Sequence, residues 1–226
     1  MAIVGVADLE IQSLADLQQF ADDDGVAAAA GISSAMWPLF GQVWPSARHL
    51  AAHVARREVR PAETILELGC GLALASLVAH RRGADVTASD HHPEVGGFLA
   101  RNLVLNHLPP MKYCAGAWGE PADAAPRSTA LGRFQLVMAS DVLYQRADSD
   151  PLAGFIAAHA AGAAEVWIVD PDRGNRVGFR RAMAARGFAQ IDEARLVVAA
   201  RPGVDAYRGR LLTFRGPAEA APGAGE

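Results

Sequence analysis

The chain has 226 residues, a formal net charge of −4 and an apolar content of 51%. This length and composition predict one domain with one sizeable hydrophobic core. The acidic balance excludes general binding to a phosphate backbone, and no apolar run approaches the roughly 20 residues that span a bilayer.

The start of the chain, MAIVGVADLEIQ, has no basic segment and contains Asp8 and Glu10. It does not resemble a signal peptide, so we expect a cytoplasmic protein. The two cysteines are Cys70 and Cys114, and neither belongs to a CxxC pair. They predict two small buried residues rather than a disulfide framework or a zinc site.

Composition divides the chain into three predicted parts. Residues 1–40 are predicted to form a partly helical N-terminal extension, and residues 41–215 the domain itself. Residues 216–226, rich in Gly, Ala and Pro, are predicted to be a disordered tail. Within the domain, Pro and small residues at 119–132 predict a surface loop.

Strand and helix patterns alternate through the domain. This alternation predicts an α/β fold with a mostly parallel, doubly wound sheet. The last two strands have no helical pattern between them, which predicts a hairpin that inserts one antiparallel strand near the sheet edge. In chain order the predictions are a helix from Pro45, a strand at 64–68, a helix at 72–81, a strand at 85–89, a helix at 93–106, strands at 111–114 and 134–139, a helix at 151–161, a strand at 165–169, a helix at 176–186, and strands at 196–199 and 210–214.

A glycine turn, Gly69-Cys70-Gly71, follows the first strand and leads into a helix. Glycines allow a tight turn and let the backbone approach a ligand, which in such sheets binds at the carboxyl ends of the strands. NAD requires G-x-G-x-x-G spacing, but Leu74 stands at the third glycine position. Glu67, just before the turn, would repel a pyrophosphate. The same carboxylate suits the ammonium and sulfonium groups of S-adenosylmethionine, which has no phosphate.

Asp90 ends the second strand, about twenty residues after the glycine turn. An acid at this place can accept hydrogen bonds from both ribose hydroxyls, which fits NAD and S-adenosylmethionine alike. Taken alone, Glu67 is also compatible with a surface acid at a strand end and Asp90 with a turn residue. The ordered set E-L-G-C-G followed by TASD indicates a cofactor site.

Three segments of the chain resemble methyltransferase family 16, which includes METTL21-type protein-lysine methyltransferases. They are VWPSARHLAAHVA, ILELGCGLALASLVAHRRGADVTASD and FQLVMASDVLYQ, and the resemblance covers residues 41–170, with a weaker likeness beyond. It implies a class I methyltransferase that uses S-adenosylmethionine. It also implies a Rossmann-like seven-stranded sheet in the order 3-2-1-4-5-7-6, with strand 7 antiparallel and helices on both faces.

The resemblance implies ten site residues. Two catalytic residues, Asp141 and Tyr144, match the D-x-x-Y motif that borders the acceptor amine. The other eight would bind the cofactor: Trp44 in the segment that closes over it, Glu67, Gly69 and Gly71 at its methionine end, Asp90 at the ribose, His91 and Trp118 at the adenine, and Ser140 where cofactor and substrate meet.

The chain departs from the family pattern at two positions. Ala73 replaces the last glycine of G-C-G-x-G, which predicts a turn held tighter against the cofactor. Gln145 stands where many members have Glu, which removes one possible charge contact with a cationic substrate. Structural alternatives also stay open: Asp141 as a turn or helix cap, Tyr144 as a packing residue, and the two site tryptophans as core or loop anchors.

The predicted reaction is an in-line displacement in which the protein aligns the acceptor, the methyl group and the sulfur. An amine must be neutral before it attacks. Asp141 can orient it and stabilise the positive charge that develops, and Tyr144 can supply a ring wall and a hydroxyl. Water can take the proton, so no dedicated general base is required.

The predicted function is N-methylation of a protein, at a lysine side chain. The alternatives are a small-molecule amine as acceptor, a module that binds S-adenosylmethionine without turnover, and an NAD dehydrogenase. A monomer with no nucleic-acid or membrane partner is expected. Adjacent His91 and His92 seldom converge on one ion, so no metal is predicted. The segment DPDRG at 170–174 either shapes the substrate entrance or only turns the chain, and it stays outside the predicted site.

Overall fold

The computed structural model describes residues 8–17, 21–118, 131–202 and 205–218. Most of the loop predicted at 119–132, and most of the tail predicted at 216–226, therefore lie outside the described residues.

Helices and strands alternate along the described chain, as the sequence predicts. In chain order they are α1 (Val26–Ala29), a 3₁₀ helix (Trp37–Gly41), α2 (Pro45–Arg56), β1 (Thr64–Leu68), α3 (Leu74–Arg81), β2 (Asp85–Asp90), α4 (Val95–Leu105), β3 (Lys112–Ala115), β4 (Phe134–Ser140), α5 (Ser149–His159), β5 (Ala160–Asp170), α6 (Arg176–Ala185), β6 (Ala189–Val198) and β7 (Tyr207–Arg215).

The seven strands form one sheet in the order β3-β2-β1-β4-β5-β7-β6. Strands β1 to β5 pair in parallel, and β7 lies antiparallel between β5 and β6. The predicted order and the inserted antiparallel strand are confirmed. Because the chain crosses from β3 to β4 on the other side of β1, the strand order reverses beside β1. Ligands bind at such a point, outside the carboxyl ends of the strands.

Helices cover both faces of the sheet. Because successive residues of a strand point to opposite faces, each face has its own core cluster. On β1, Ile65 packs in one core cluster with Leu50 of α2 and Leu99 of α4, while α3 contributes further apolar residues to it. Leu66 packs in the other cluster with Ile156 of α5. The two clusters hold β1 between them and fix the position of the turn that follows it.

Strand β6 is longer than the sequence predicts, beginning at Ala189 rather than at 196. Its first seven residues, AQIDEAR, show no clean alternation of apolar and polar residues. The reason is its place at the edge of the sheet, where most of its side chains are exposed or half-buried. The limits of β6 follow from its pairing with β7. The hydrophobic pattern of β6 does not encode that pairing.

The first described residues pack against the helices of the domain. Leu9 is fully buried in the core cluster on the α3–α4 side. The backbone N–H groups of Glu10 and Gln12 donate to the side-chain oxygens of Asn106 (3.0 Å) and Asn102 (2.7 Å). Among the described residues, no helix is long and apolar enough to cross a membrane.

Candidate active site

A cavity opens at the carboxyl ends of β1, β2 and β4, where the strand order reverses. Glu67, alone among the ten predicted site residues, is not on its wall. The other nine line the cavity: Trp44, Gly69, Gly71, Asp90, His91, Trp118, Ser140, Asp141 and Tyr144. Side chains and backbone from widely separated parts of the chain therefore share one concave surface.

The turn after β1 needs glycine at two positions. Gly69 and Gly71 have φ angles of +57° and +50°, in the left-handed region. A Cβ atom on Gly69 would lie 3.0 Å from the ring of Trp118, and one on Gly71 would lie 3.0 Å from the carbonyl oxygen of Phe40. Both the backbone angles and the space therefore exclude larger residues, and the backbone itself forms part of the cavity wall.

Ala73, the departure from the family pattern, precedes α3 in a left-handed conformation with φ +56° and ψ +38°. This conformation costs an alanine about 1–2 kcal/mol. In Ala73→Gly the relief is offset by a lost buried methyl group, about 0.8 kcal/mol, and by about 0.4–1 kcal/mol of backbone entropy. We expect the free energy of unfolding, measured in urea, to change by less than about 1 kcal/mol.

Ala79 is the matched control because it is buried and lies within α3. At this position, glycine loses the methyl group and the helix propensity with no strain to relieve. Ala79→Gly should cost about 2 kcal/mol. Equal losses in the two variants would show that the left-handed alanine is not strained.

Glu67 lies beneath the turn and contacts α3. Its Oε2 accepts hydrogen bonds from the backbone N–H (2.7 Å) and the hydroxyl (2.5 Å) of Ser76. Burial raises the pKa of Glu67 to about 7, and the two bonds from Ser76 act in the opposite direction. The side chain thus ties the end of β1 to the first turn of α3.

The raised pKa of Glu67 makes stability depend on pH. Since the folded-state pKa lies above the unfolded value, the contribution of this group is complete below the unfolded pKa of 4.5 and is lost as the pH rises through about 7. Glu67→Gln keeps an acceptor for Ser76 but cannot ionise. The free energy of unfolding of the variant minus that of wild type should rise by roughly 2 kcal/mol from about pH 5 to about pH 8. Denaturant titrations with a flat difference would contradict this.

Asp90, at the end of β2, is held by two backbone groups. Its Oδ2 accepts from the N–H of Gly71 and its Oδ1 from the N–H of His92, both at 2.9 Å. Each carboxylate oxygen has a second lone pair that can accept from a ribose hydroxyl. Next to it, His92 stacks on Phe40 with ring centroids 4.0 Å apart. Burial lowers the pKa of His92 to about 4, so this ring adds no positive charge near pH 7.

Asp141 lines the same cavity directly after β4, on the other side of β1 from Asp90. Its backbone is left-handed (φ +59°), and its N–H donates to the carbonyl of Val169 on β5 (2.9 Å). Its Oδ1 lies 2.6 Å from Nη2 of Arg173, and its Oδ2 accepts from the hydroxyl of Ser46 at 3.4 Å. Burial raises the pKa of Asp141, while Arg173 and Ser46 oppose that rise. Burial also raises the pKa of Tyr144 to about 12, so its hydroxyl keeps its proton.

Several cavity residues were not predicted from the sequence. Arg173 follows β5 in the DPDRG segment, which the sequence left open as a possible substrate entrance. Gln42 lies two residues before Trp44, and its buried Nε2 has no hydrogen-bond partner among the described residues. Four further lining residues have no periodic pattern in the sequence that predicts them. They come from the short 3₁₀ helix and the chain before it, and form the part of the wall that we call the roof: Ile32, Met36, Leu39 and Phe40.

The charges around the cavity fit a cationic nucleoside without phosphate groups. Asp90 and Asp141 line it at strand ends on either side of β1. Arg173, the single arginine or lysine among the described lining residues, is paired with Asp141. S-adenosylmethionine carries a sulfonium, an ammonium and a ribose, so the residues present fit it. Within the described chain, no group of three His, Cys, Asp or Glu side chains could hold a metal ion.

Comparison with known proteins gives matches in sequence. A family model described as lysine methyltransferase matches residues 36–175, which is more than half of the chain. The mouse protein-lysine methyltransferase METTL21E is 36% identical over 112 residues, covering 45% of this chain and 44% of that protein. The rat histone-arginine methyltransferase METTL23 is 30% identical over 114 residues, or 49% of each chain. The chain thus spans about half the length of these curated relatives.

Solved structures share the fold at low sequence identity. Magnesium protoporphyrin IX methyltransferase from Synechocystis PCC 6803, with bound S-adenosylmethionine, has a TM-score of 0.56 and 17% identity and covers 75% of this chain and 77% of its own. SMU.776, a methyltransferase complexed with S-adenosylhomocysteine, has a TM-score of 0.59 and 11% identity and covers 76% and 50%. These matches support the Rossmann-like fold.

Proposed function

The chain belongs to the lysine methyltransferase family, whose cofactor is S-adenosylmethionine, and we propose that it methylates the side-chain amine of a lysine on a protein. One observation carries the proposal: two carboxylates suited to different tasks line one cavity, at strand ends on either side of β1. Asp90 is braced by the glycine turn, as a ribose ligand should be. Asp141 stands at the end of β4, in the D-x-x-Y motif, where an acceptor amine can reach it.

The cofactor end is proposed to be built from the turn, β2 and the chain around Trp44 and Trp118. Asp90 binds the ribose hydroxyls, and the backbone at Gly69 and Gly71 lies along the methionine part. His91 and Trp118 border the adenine. Trp44, whose indole N–H donates to the carbonyl of Leu39 (2.9 Å), joins α2 to the roof. When bound, S-adenosylmethionine supplies a methyl group activated by a sulfonium.

At the acceptor end, the protein positions an amine for displacement. Asp141 accepts a hydrogen bond from the acceptor nitrogen, which orients its lone pair toward the cofactor. The same carboxylate stabilises the positive charge that the nitrogen gains. Tyr144 supplies a ring wall and a protonated hydroxyl, and Ser140 lies where the two ends meet. The ammonium proton of the acceptor leaves to water before transfer, because only the neutral amine has the lone pair that attacks; the methyl–sulfur bond breaks as the methyl–nitrogen bond forms.

An arginine side chain is a second candidate acceptor. The likeness to the METTL23 histone-arginine methyltransferases of rat and human, 30% and 29% identical, favours it. A guanidinium can also pair with Asp141, and Gln145 removes an acidic group that would favour an ammonium. Identifying the methylated amino acid in the product distinguishes the two acceptors.

Transfer of a labelled methyl group tests the proposal. Purified protein is incubated with radiolabelled S-adenosylmethionine and cell lysate, and labelled protein bands are hydrolysed for amino-acid analysis. Methyl-lysine is the expected product, and methyl-arginine would favour the second candidate instead. Label in small molecules alone would replace the protein acceptor by a small-molecule amine. Binding of S-adenosylhomocysteine by calorimetry with no transfer would indicate an inactive binding module, and binding of NAD in its place would overturn the proposal.

A further inference from the structure

Asp141 forms an ion pair with another side chain of the same protein, Arg173. Nη2 of Arg173 lies 2.6 Å from Oδ1 of Asp141, and both residues line the cavity with Ser140 and Tyr144. The guanidinium therefore stands at the carboxylate to which an acceptor amine must come.

The backbone that carries Arg173 is held firmly. The N–H of Asp172 donates to Oδ2 of Asp170 (2.9 Å), and the Asp172 backbone is left-handed at φ +67°. The Asp172 carboxylate also binds Nε of Arg210 on β7 (3.1 Å) and the guanidinium of Arg176 on α6. Any exchange at Asp141 must therefore come from the Arg173 side chain rather than from movement of the whole segment.

The two partners of the ion pair differ sharply in exposure. The Arg173 side chain is 42% exposed, whereas that of Asp141 is 10% exposed. Asp141 is fixed at the end of β4, and leaving its buried carboxylate without a cation is costly. The half-exposed guanidinium can be hydrated when it leaves, so the main cost of breaking the pair lies with the carboxylate, unless another cation takes its place. The structure thus combines a fixed buried anion with a cation that can be exchanged.

Building on the proposed function, we propose that Arg173 is a specificity-determining residue that occupies the acceptor carboxylate until a cationic side chain displaces it. When it binds, a lysine ammonium or an arginine guanidinium replaces one positive charge by another, so the exchange itself does not leave Asp141 without a cation. An uncharged acceptor offers no such replacement, and Arg173 stays in place. The exchange favours cationic acceptors over uncharged ones. It also lowers the apparent affinity of a cationic acceptor, because that acceptor must first break the ion pair between Arg173 and Asp141.

Binding of small probes tests the exchange without requiring the natural substrate. The probes are Nα-acetyl-lysine methylamide and its uncharged analogue Nα-acetyl-norleucine methylamide, titrated by ligand-detected NMR with the cofactor site saturated by S-adenosylhomocysteine. Arg173→Gln removes the competing cation, and we expect the lysine probe to bind about three- to tenfold more tightly. Arg181→Gln, at an exposed arginine on α6, is the matched control and should bind as wild type does. Affinity for the norleucine probe should not respond to either substitution.

Two further results separate the possible failures. In the first, Arg173→Gln binds the lysine probe as tightly as wild type or more weakly, while Asp141→Asn abolishes binding. This result would overturn the exchange but would still support Asp141 as the acceptor site. If Asp141→Asn kept wild-type affinity for the probe and wild-type methyl transfer, the proposed acceptor site would fail, and the exchange with it. Melting temperatures of all variants establish that each one is folded.

Discussion

Asp141→Asn should reduce kcat/KM for methyl transfer by at least about 100-fold and change the affinity for S-adenosylhomocysteine by less than about threefold. Asparagine has nearly the same size as aspartate but no negative charge, so it cannot stabilise the charge that the acceptor nitrogen gains. The ribose end is spared because Asp90 ends β2, which is separated from β4 by β1. Initial rates with labelled cofactor and calorimetry with S-adenosylhomocysteine give the two quantities.

The control for Asp141 is Asp150→Asn, at an exposed acid on α5 that pairs with Arg186. It removes the same charge from the surface and should leave both quantities at wild-type values. The role assigned to Asp141 is wrong if Asp141→Asn loses its affinity for the cofactor while its residual turnover is normal.

Asp90→Ala should weaken the binding of S-adenosylhomocysteine by about 100-fold or more. In the proposed site, the change removes the acceptor for both ribose hydroxyls. It also leaves the N–H groups of Gly71 and His92 without the carboxylate that holds them at 2.9 Å. The cavity therefore loses a ligand contact and the brace of its glycine turn together. Calorimetry measures the affinity directly.

Asp85→Ala provides the comparison for Asp90 because it changes an aspartate at the opposite end of the same strand. Asp85 is half-exposed and pairs with Lys112 of β3. This variant should keep wild-type affinity, since the pair lies at the amino end of β2, away from the cavity. Similar losses of affinity in the two variants would mean that the strand, rather than the carboxylate at its end, is what the cofactor requires.

The sequence by itself determined the alternation of strands and helices, and the glycine turn and carboxylates of the candidate site. The run TILEL, the glycines after it and Asp90 are local signals, because strand periodicity and left-handed turns depend on neighbouring residues. Parallel strands place their carboxyl ends along one edge, so the eight predicted residues that end or follow β1 to β4 meet at one cavity, and Trp44 joins them from the start of α2. The order of the strands came from the family resemblance.

Only the tertiary structure decided which distant groups meet. It directs the Glu67 carboxyl beneath the turn to Ser76, gives Asp141 its cation from the segment after β5, and places Phe40 over His92. Each of these contacts joins segments from different elements, and no local pattern encodes the direction of a side chain across such a distance. Packing of the helices on the two faces fixes those directions, and with them which side chains line the cavity.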